Sequence, residues 1–154
     1  MEKALLKLNK DDLRLLHPKI QLGRVKSGQV LVKEGQPPLG LFIVRSGSVL
    51  VQRSINSYSI TTATLHAGEM FGESAFINLS PRPATASVIA ADDTEVIVLT
   101  PQRLNPLFEE NPGLFGRFFQ SIALTLSRRL RAWNEQAGGK PRDRFGDIPN
   151  WEIL

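Results

Sequence analysis

Between Ile20 and Leu99 the apolar residues fall in short β-branched runs that glycine interrupts about every ten positions: "IQLGRV", "QVLVKEG", "LFIVRSGSVLVQR", "SITTATLHAGEMFG" and "ATASVIAADDTEVIVL". Runs of this length, bounded by turn residues, predict strands, and their even spacing predicts a sandwich or barrel of antiparallel strands. Within that region Ser46-Gly47 lies between two apolar runs, and a glycine there supplies the positive φ of a tight reversal, so the pattern predicts a hairpin. Upstream, "NKDDLRLLH" predicts a short helix. Asn9 caps its free amides, Asp11 and Asp12 sit at the positive end of its dipole, and Pro18 ends it.

After Leu99 the period changes from two to about four. Thr100-Pro101 and Asn111-Pro112 each put a capping residue before a proline at a first helical position, which predicts two successive helices. The second carries Phe115, Phe119, Ile122, Leu126, Leu130 and Trp133 at helical spacing. Such a stripe either covers the β core or pairs with a twin helix. A helix continuous to about Glu135 is long enough to overhang a small barrel, which keeps a homodimer through it in view. "AGGKPRDRFGDIPNWEIL" then reads as a charged tail rich in glycine and proline, so the expected organisation is one domain over residues 1–136 and a tail over 137–154.

Composition narrows the chemistry. A chain of 154 residues with 42% apolar content suits one core, and no stretch approaches eighteen consecutive apolar residues. With no secretory pattern at its start either, the expectation is a cytoplasmic protein with no membrane partner. There is no cysteine, and His17 and His66 are far apart, so a metal site has little to stand on. No nucleophile–base arrangement can be named, and the chain is not expected to be an enzyme. The net charge of +4 is uneven: Arg117, Arg128, Arg129, Arg131, Lys140, Arg142 and Arg144 face only Glu135 and Asp143 over that stretch. It is read as a solvated helix face plus a tail, with an anion-attracting surface as the alternative.

The stretch richest in possible chemistry is "FGESAFINLSPRPATASV", Phe71 to Val88. A helical turn starting near Glu73 would direct free amides outward, where an anion fits. The Glu73 carboxylate has only acceptor oxygens, so its natural partner there is a ligand hydroxyl. Arg82, between Pro81 and Pro83, offers a planar fork for two phosphate oxygens, and Ala84, Thr85 and Ala86 leave room beside it. A carboxylate for a sugar hydroxyl and a guanidinium for a singly charged phosphate describe a nucleotide. The plainer alternative is that Glu73 and Arg82 pair with each other across the loop.

The run "GEMFGESAFINLSPRPATASV" resembles the phosphate-binding cassette of the cyclic nucleotide-binding domain family, of the catabolite-activator and protein kinase A regulatory-subunit type: Phe-Gly-Glu, a small or apolar pair, then Pro-Arg and small residues. Gly28, Gly35 and Gly47 resemble the glycines of that family's barrel turns, and the likeness extends over about Asn9 to Asn134. The resemblance implies a mainly β fold, an antiparallel β jelly roll with a short N-terminal helix and two C-terminal helices. It implies a site of Gly72, Glu73, Ser74, Ala75, Arg82, Pro83, Ala84 and Thr85. In it Glu73 accepts the ribose 2′-hydroxyl, Arg82 neutralises the cyclic phosphate, and amides near Ser74 and Ala75 add donors. Thr85 is placed at the base edge, with local strand packing as its alternative role.

Two residues depart from the family pattern. Ser74 stands where Leu, Ile or Met is usual. Pro83 stands where a backbone N–H commonly meets the phosphate, and losing that donor costs about 1.5–3 kcal/mol, or about one to two decades of affinity. Guanine-favouring members often carry threonine at that place, so Pro83 points to cAMP over cGMP. The expected function is a cyclic mononucleotide sensor with no other cofactor, signalling through its C-terminal helix to a protein partner. The alternative is a nucleotide-independent interaction or dimerisation module on the same fold. The residues after Glu135 hold Gly138-Gly139, Pro141 and Pro149 and no paired helical pattern, so no DNA-binding domain is expected.

Overall fold

The computed structural model describes residues 1–78 and 80–137; the expected tail beyond Ala137, with Trp151, lies outside the described residues. A first helix, α1 (Lys10–Leu16), starts as its sequence predicts. Asn9 Oδ1 accepts from the Asp12 amide at 2.9 Å and Asp12 Oδ2 accepts from the Asn9 amide at 3.0 Å, a reciprocal cap that satisfies two end donors.

Eight strands follow: β1 (Gln21–Val25), β2 (Val30–Val32), β3 (Leu41–Ser46), β4 (Ser48–Ile55), β5 (Tyr58–His66), β6 (Met70–Phe71), β7 (Ser87–Ala90) and β8 (Thr94–Leu99). They form two antiparallel four-stranded sheets in the orders β1-β8-β3-β6 and β2-β7-β4-β5. The fold is a mainly β jelly roll, as expected.

The first sheet lies between two apolar layers, which is why β3 and β8 read as unbroken apolar runs. Successive side chains point to opposite faces. Phe42, Val44, Val96 and Val98 therefore pack inside the barrel with Val32, Val49, Leu65, Phe71 and Val88, while Leu41, Ile43, Ile97 and Leu99 pack outside it against the helices.

The hairpin expected at Ser46-Gly47 does not form. β3 pairs with β6 and β8, β4 pairs with β5 and β7, and Gly47 is a corner between the two sheets. Its φ is +82°, and a Cβ there would lie 2.6 Å from Thr94 Oγ1, so glycine serves close packing on β8 rather than a reversal. The reversal lies instead between β4 and β5, where Asn56 (φ +48°) and Ser57 (φ +69°) take the two positive-φ positions of a two-residue turn.

Among the described residues three further α-helices are present: α2 (Ser74–Ile77), α3 (Pro101–Glu110) and α4 (Pro112–Gln136). Proline opens α3 and α4 as predicted, but neither Thr100 nor Asn111 makes a side-chain capping bond. Asn111 Nδ2 donates back to the Leu107 carbonyl at 2.9 Å and so closes α3. The predicted apolar stripe of α4 covers the core in its middle, where Ile122 is buried and Phe119 and Leu126 pack against it, and departs from it at both ends. The face buried on the barrel is Leu114, Phe118, Ser121 and Ile122, whereas Phe115, Leu130 and Trp133 are exposed. Burying Phe118 completely contributes roughly 1.5–3 kcal/mol. It is packed by the rings of Phe76 at 5.1 Å and Phe108 at 5.0 Å, which joins α2, α3 and α4 in one aromatic cluster.

Candidate functional site

At the end of β6 the chain turns sharply. Gly72 has φ +77°, and a Cβ on it would lie 2.4 Å from the Gly40 carbonyl oxygen. Both facts require glycine at the point where the chain leaves β6 for Glu73 and α2. Glu73 makes no capping bond with α2. Glu73 lines a cavity of about 320 Å³.

The walls of that cavity come from three places. Val32, Val51, Ala63, Leu65, Phe71 and Val88 form an apolar floor inside the barrel; Gly72, Glu73 and Ser74 form one rim; Ala84, Thr85 and Ala86 form the other. Apolar walls with a few convergent polar groups suit a small organic ligand. Small side chains on the second rim follow from its backbone. Ala84 bridges Glu34, its amide donates to the Gln36 carbonyl at 2.9 Å, and the Gly35 amide donates to the Ala84 carbonyl at 2.9 Å.

Of the eight residues singled out in the sequence, Gly72, Glu73, Ser74, Ala84 and Thr85 line this cavity. Arg82 does not. It is exposed and lines a neighbouring depression of about 330 Å³ with Ala75, Asn78, Ser80 and Pro81, separated from the first by Ser74 and Pro38, which line both. Pro83 is exposed and lines neither. The cross-loop pair of Glu73 with Arg82 is absent among the described residues. The predicted amide donors divide as well: Ala75 is committed to the Gly72 carbonyl at 3.1 Å, whereas the Ser74 amide has no acceptor among the described residues.

The cation beside Glu73 is one that sequence reasoning missed. Arg129 of α4 lines the cavity, places Nη1 3.5 Å from Glu73 Oε1, and donates from Nη2 to the Met70 carbonyl. In the sequence Arg129 is one member of a basic cluster, with nothing to separate it from Arg128 and Arg131. Arg117 of the same cluster is likewise committed, to the buried Asp12 carboxylate at 2.6 and 2.7 Å. The predicted basic surface therefore loses two of its members to structural pairs, and Lys140, Arg142 and Arg144 lie outside the described residues.

The family model described as the cyclic nucleotide-binding domain matches residues 22–111, a span that contains both rims of the cavity. The chain belongs to the cyclic nucleotide-binding domain family. A relative, the cyclic GMP-binding protein C of Dictyostelium discoideum, is 28% identical over 113 residues, which is 68% of this chain and 4% of that protein. The cyclic AMP receptor protein of Thermus thermophilus is 30% identical over 105 residues, 68% of this chain and 46% of that protein. The chain thus spans less than half the length of these relatives. A cyclic nucleotide-binding domain from Methylobacillus flagellatus has the same fold, with a TM-score of 0.78 at 24% identity over 88% of this chain and 80% of that one. Within this family's frame, the Phe71-Gly72-Glu73 rim is where the cassette resemblance falls.

Proposed function

We propose that the chain is a sensor module that takes one cyclic mononucleotide in the barrel cavity, cAMP in preference to cGMP, and signals through α4. The observation that carries this reading is the cavity itself: an apolar floor for a base and sugar, with Glu73 on one rim and beside it the Ser74 amide, which has no acceptor among the described residues. Relatives named for cyclic GMP and for cyclic AMP both exist, so the preference for cAMP rests on Pro83. Arg82 is on an exposed segment next to the cavity, and a bound phosphate draws that segment inward to meet its guanidinium. The same reading makes the module a cytoplasmic binder without turnover; among the described residues no helix is long and apolar enough to cross a membrane.

Calorimetric titration with cAMP and cGMP tests this directly. Wild-type protein is expected to bind cAMP more tightly than cGMP and to release it unchanged. Arg82→Leu is expected to weaken cAMP by about one to two decades, the worth of a charge-assisted contact. Undiminished heat after that substitution would place the phosphate elsewhere.

A second reading has an observation of its own. Phe115, Leu130 and Trp133 are 48%, 63% and 68% exposed along α4, a face suited to a homodimer or a protein partner. If titration is silent while sedimentation shows a dimer that Trp133→Glu dissolves, the chain is an interaction module on this fold.

A further inference from the structure

Two depressions meet at Ser74. It lines the barrel cavity with Glu73 and Thr85, and it also lines the neighbouring depression that holds Arg82. Pro38 is the other residue common to both, and its ring offers a ligand neither a charge nor an N–H. The hydroxyls of Ser27, Ser48, Ser87 and Ser121 each have a partner within the fold, whereas that of the half-buried Ser74 has none among the described residues. Among those residues no buried side-chain oxygen is left without a partner, so the Ser74 hydroxyl is open to what enters the site.

Next to Arg82 the backbone offers an anion little. Pro83 has no N–H, and the Ala84 amide donates to the Gln36 carbonyl at 2.9 Å. Thr85 lines the barrel cavity but not the Arg82 depression. On the facing rim the Glu73 carboxylate has only acceptor oxygens, which repel a phosphate, so the first side chain there with a proton to donate is Ser74. The two exocyclic oxygens of a cyclic phosphate accept more hydrogen bonds than one guanidinium supplies, and an O–H donor to such an oxygen makes a short, strong bond. We propose that the Ser74 hydroxyl is a phosphate-binding group of this chain: it donates to one exocyclic oxygen while Arg82 meets the other from across the ridge that Ser74 and Pro38 form. This rests on the cyclic nucleotide reading above and deepens it. The phosphate then sits where the two depressions meet, the base and sugar lie over the apolar floor, and Arg82 comes inward only as far as the ridge.

The test is calorimetry with cAMP and its two phosphorothioate diastereomers on wild type, Ser74→Ala and Ser74→Thr. In each diastereomer sulfur, a weak acceptor, replaces one exocyclic oxygen. Ser74→Ala is expected to weaken cAMP about tenfold, the loss of one hydrogen bond to a charged group, and Ser74→Thr, which keeps the hydroxyl, by no more than about threefold. In wild type one diastereomer binds about tenfold less tightly than cAMP because its sulfur faces Ser74. In Ser74→Ala that penalty shrinks to within about threefold, since the donor is already gone, while the penalty of the other diastereomer, whose sulfur faces Arg82, is unchanged. Each penalty is measured within one variant, so a general disturbance of the site cancels. Should titration favour cGMP, its own diastereomers serve the same comparison.

Sulfur penalties that Ser74→Ala leaves as they are would overturn the proposal, because the hydroxyl then touches neither oxygen; the cyclic nucleotide reading would still stand. Nucleotide binding as tight in Ser74→Ala as in wild type would do the same. A wild-type chain that takes neither cAMP nor cGMP overturns that reading and this proposal together.

Discussion

At the scale of single residues, the site depends on a backbone conformation before it depends on a charge. Gly72→Ala forces a Cβ toward the Gly40 carbonyl in a left-handed conformation, and is expected to cost at least about 2 kcal/mol in urea unfolding and to weaken cAMP as well. Asn9→Ala removes the cap of α1 and is expected to cost about 1 kcal/mol in the same assay, with no effect on the cavity. Asn9 is legible in the sequence because it acts on its immediate neighbours; Gly72 is legible only through the cassette resemblance, since the Gly40 carbonyl that demands it lies far away in sequence. The partner of Glu73 is not legible. A cation nine residues away in sequence, Arg82, is the natural candidate, yet Pro81 and Pro83 flank it and the Ala84 bridge fixes the backbone just beyond. The guanidinium that reaches Glu73 comes from fifty-six residues further on (129 minus 73), and no local pattern marks it.

At the scale of elements, strands and helices fall where hydrophobic period and punctuation place them, while their pairing does not follow from either. Ser46-Gly47 has the composition of a hairpin turn and sits instead at a corner, because β3 pairs edge to edge with β6 and β8 in one sheet while β4 pairs with β5 and β7 in the other. The true reversal, Asn56-Ser57, has no glycine and is harder to see. Ser57→Gly relieves a non-glycine residue at φ +69° and is expected to raise stability by up to about 1 kcal/mol, read as a higher urea midpoint. The stripe read from the sequence of α4 starts at Phe115, one position beyond the residue where the buried face begins. Ile122 belongs to both the predicted stripe and the buried face, but Leu114 and Phe118 are no more apolar than Phe115, so composition does not choose among them; the barrel does, by receiving Leu114 and Phe118 and leaving Phe115 exposed.

At the scale of the whole molecule, the N-terminal segment and α4 lock each other in place. Hydrogen bonding from the Arg117 guanidinium holds the Asp12 carboxyl below its ordinary range, aided by the Asn9 amide and the Arg117 charge and opposed by burial. A carboxyl lowered in the folded state contributes stability above its ordinary value of about 4 and loses it as pH falls through the lowered value. Urea unfolding at about pH 6 and about pH 3 should therefore show wild type weakening in acid, and Asp12→Asn starting lower and weakening less. A slope unchanged by that substitution would show that the pair does not carry the acid response. The sequence by itself determined the strand-rich barrel and the helices around it, since these follow from period, turn residues and capping between near neighbours, while its resemblance to the family's cassette marked Gly72 and Glu73. Only the tertiary structure decided that Arg129 and not Arg82 stands beside Glu73, that Arg117 locks on Asp12, and which face of α4 is covered, because each depends on where elements distant in sequence come to rest against a common core.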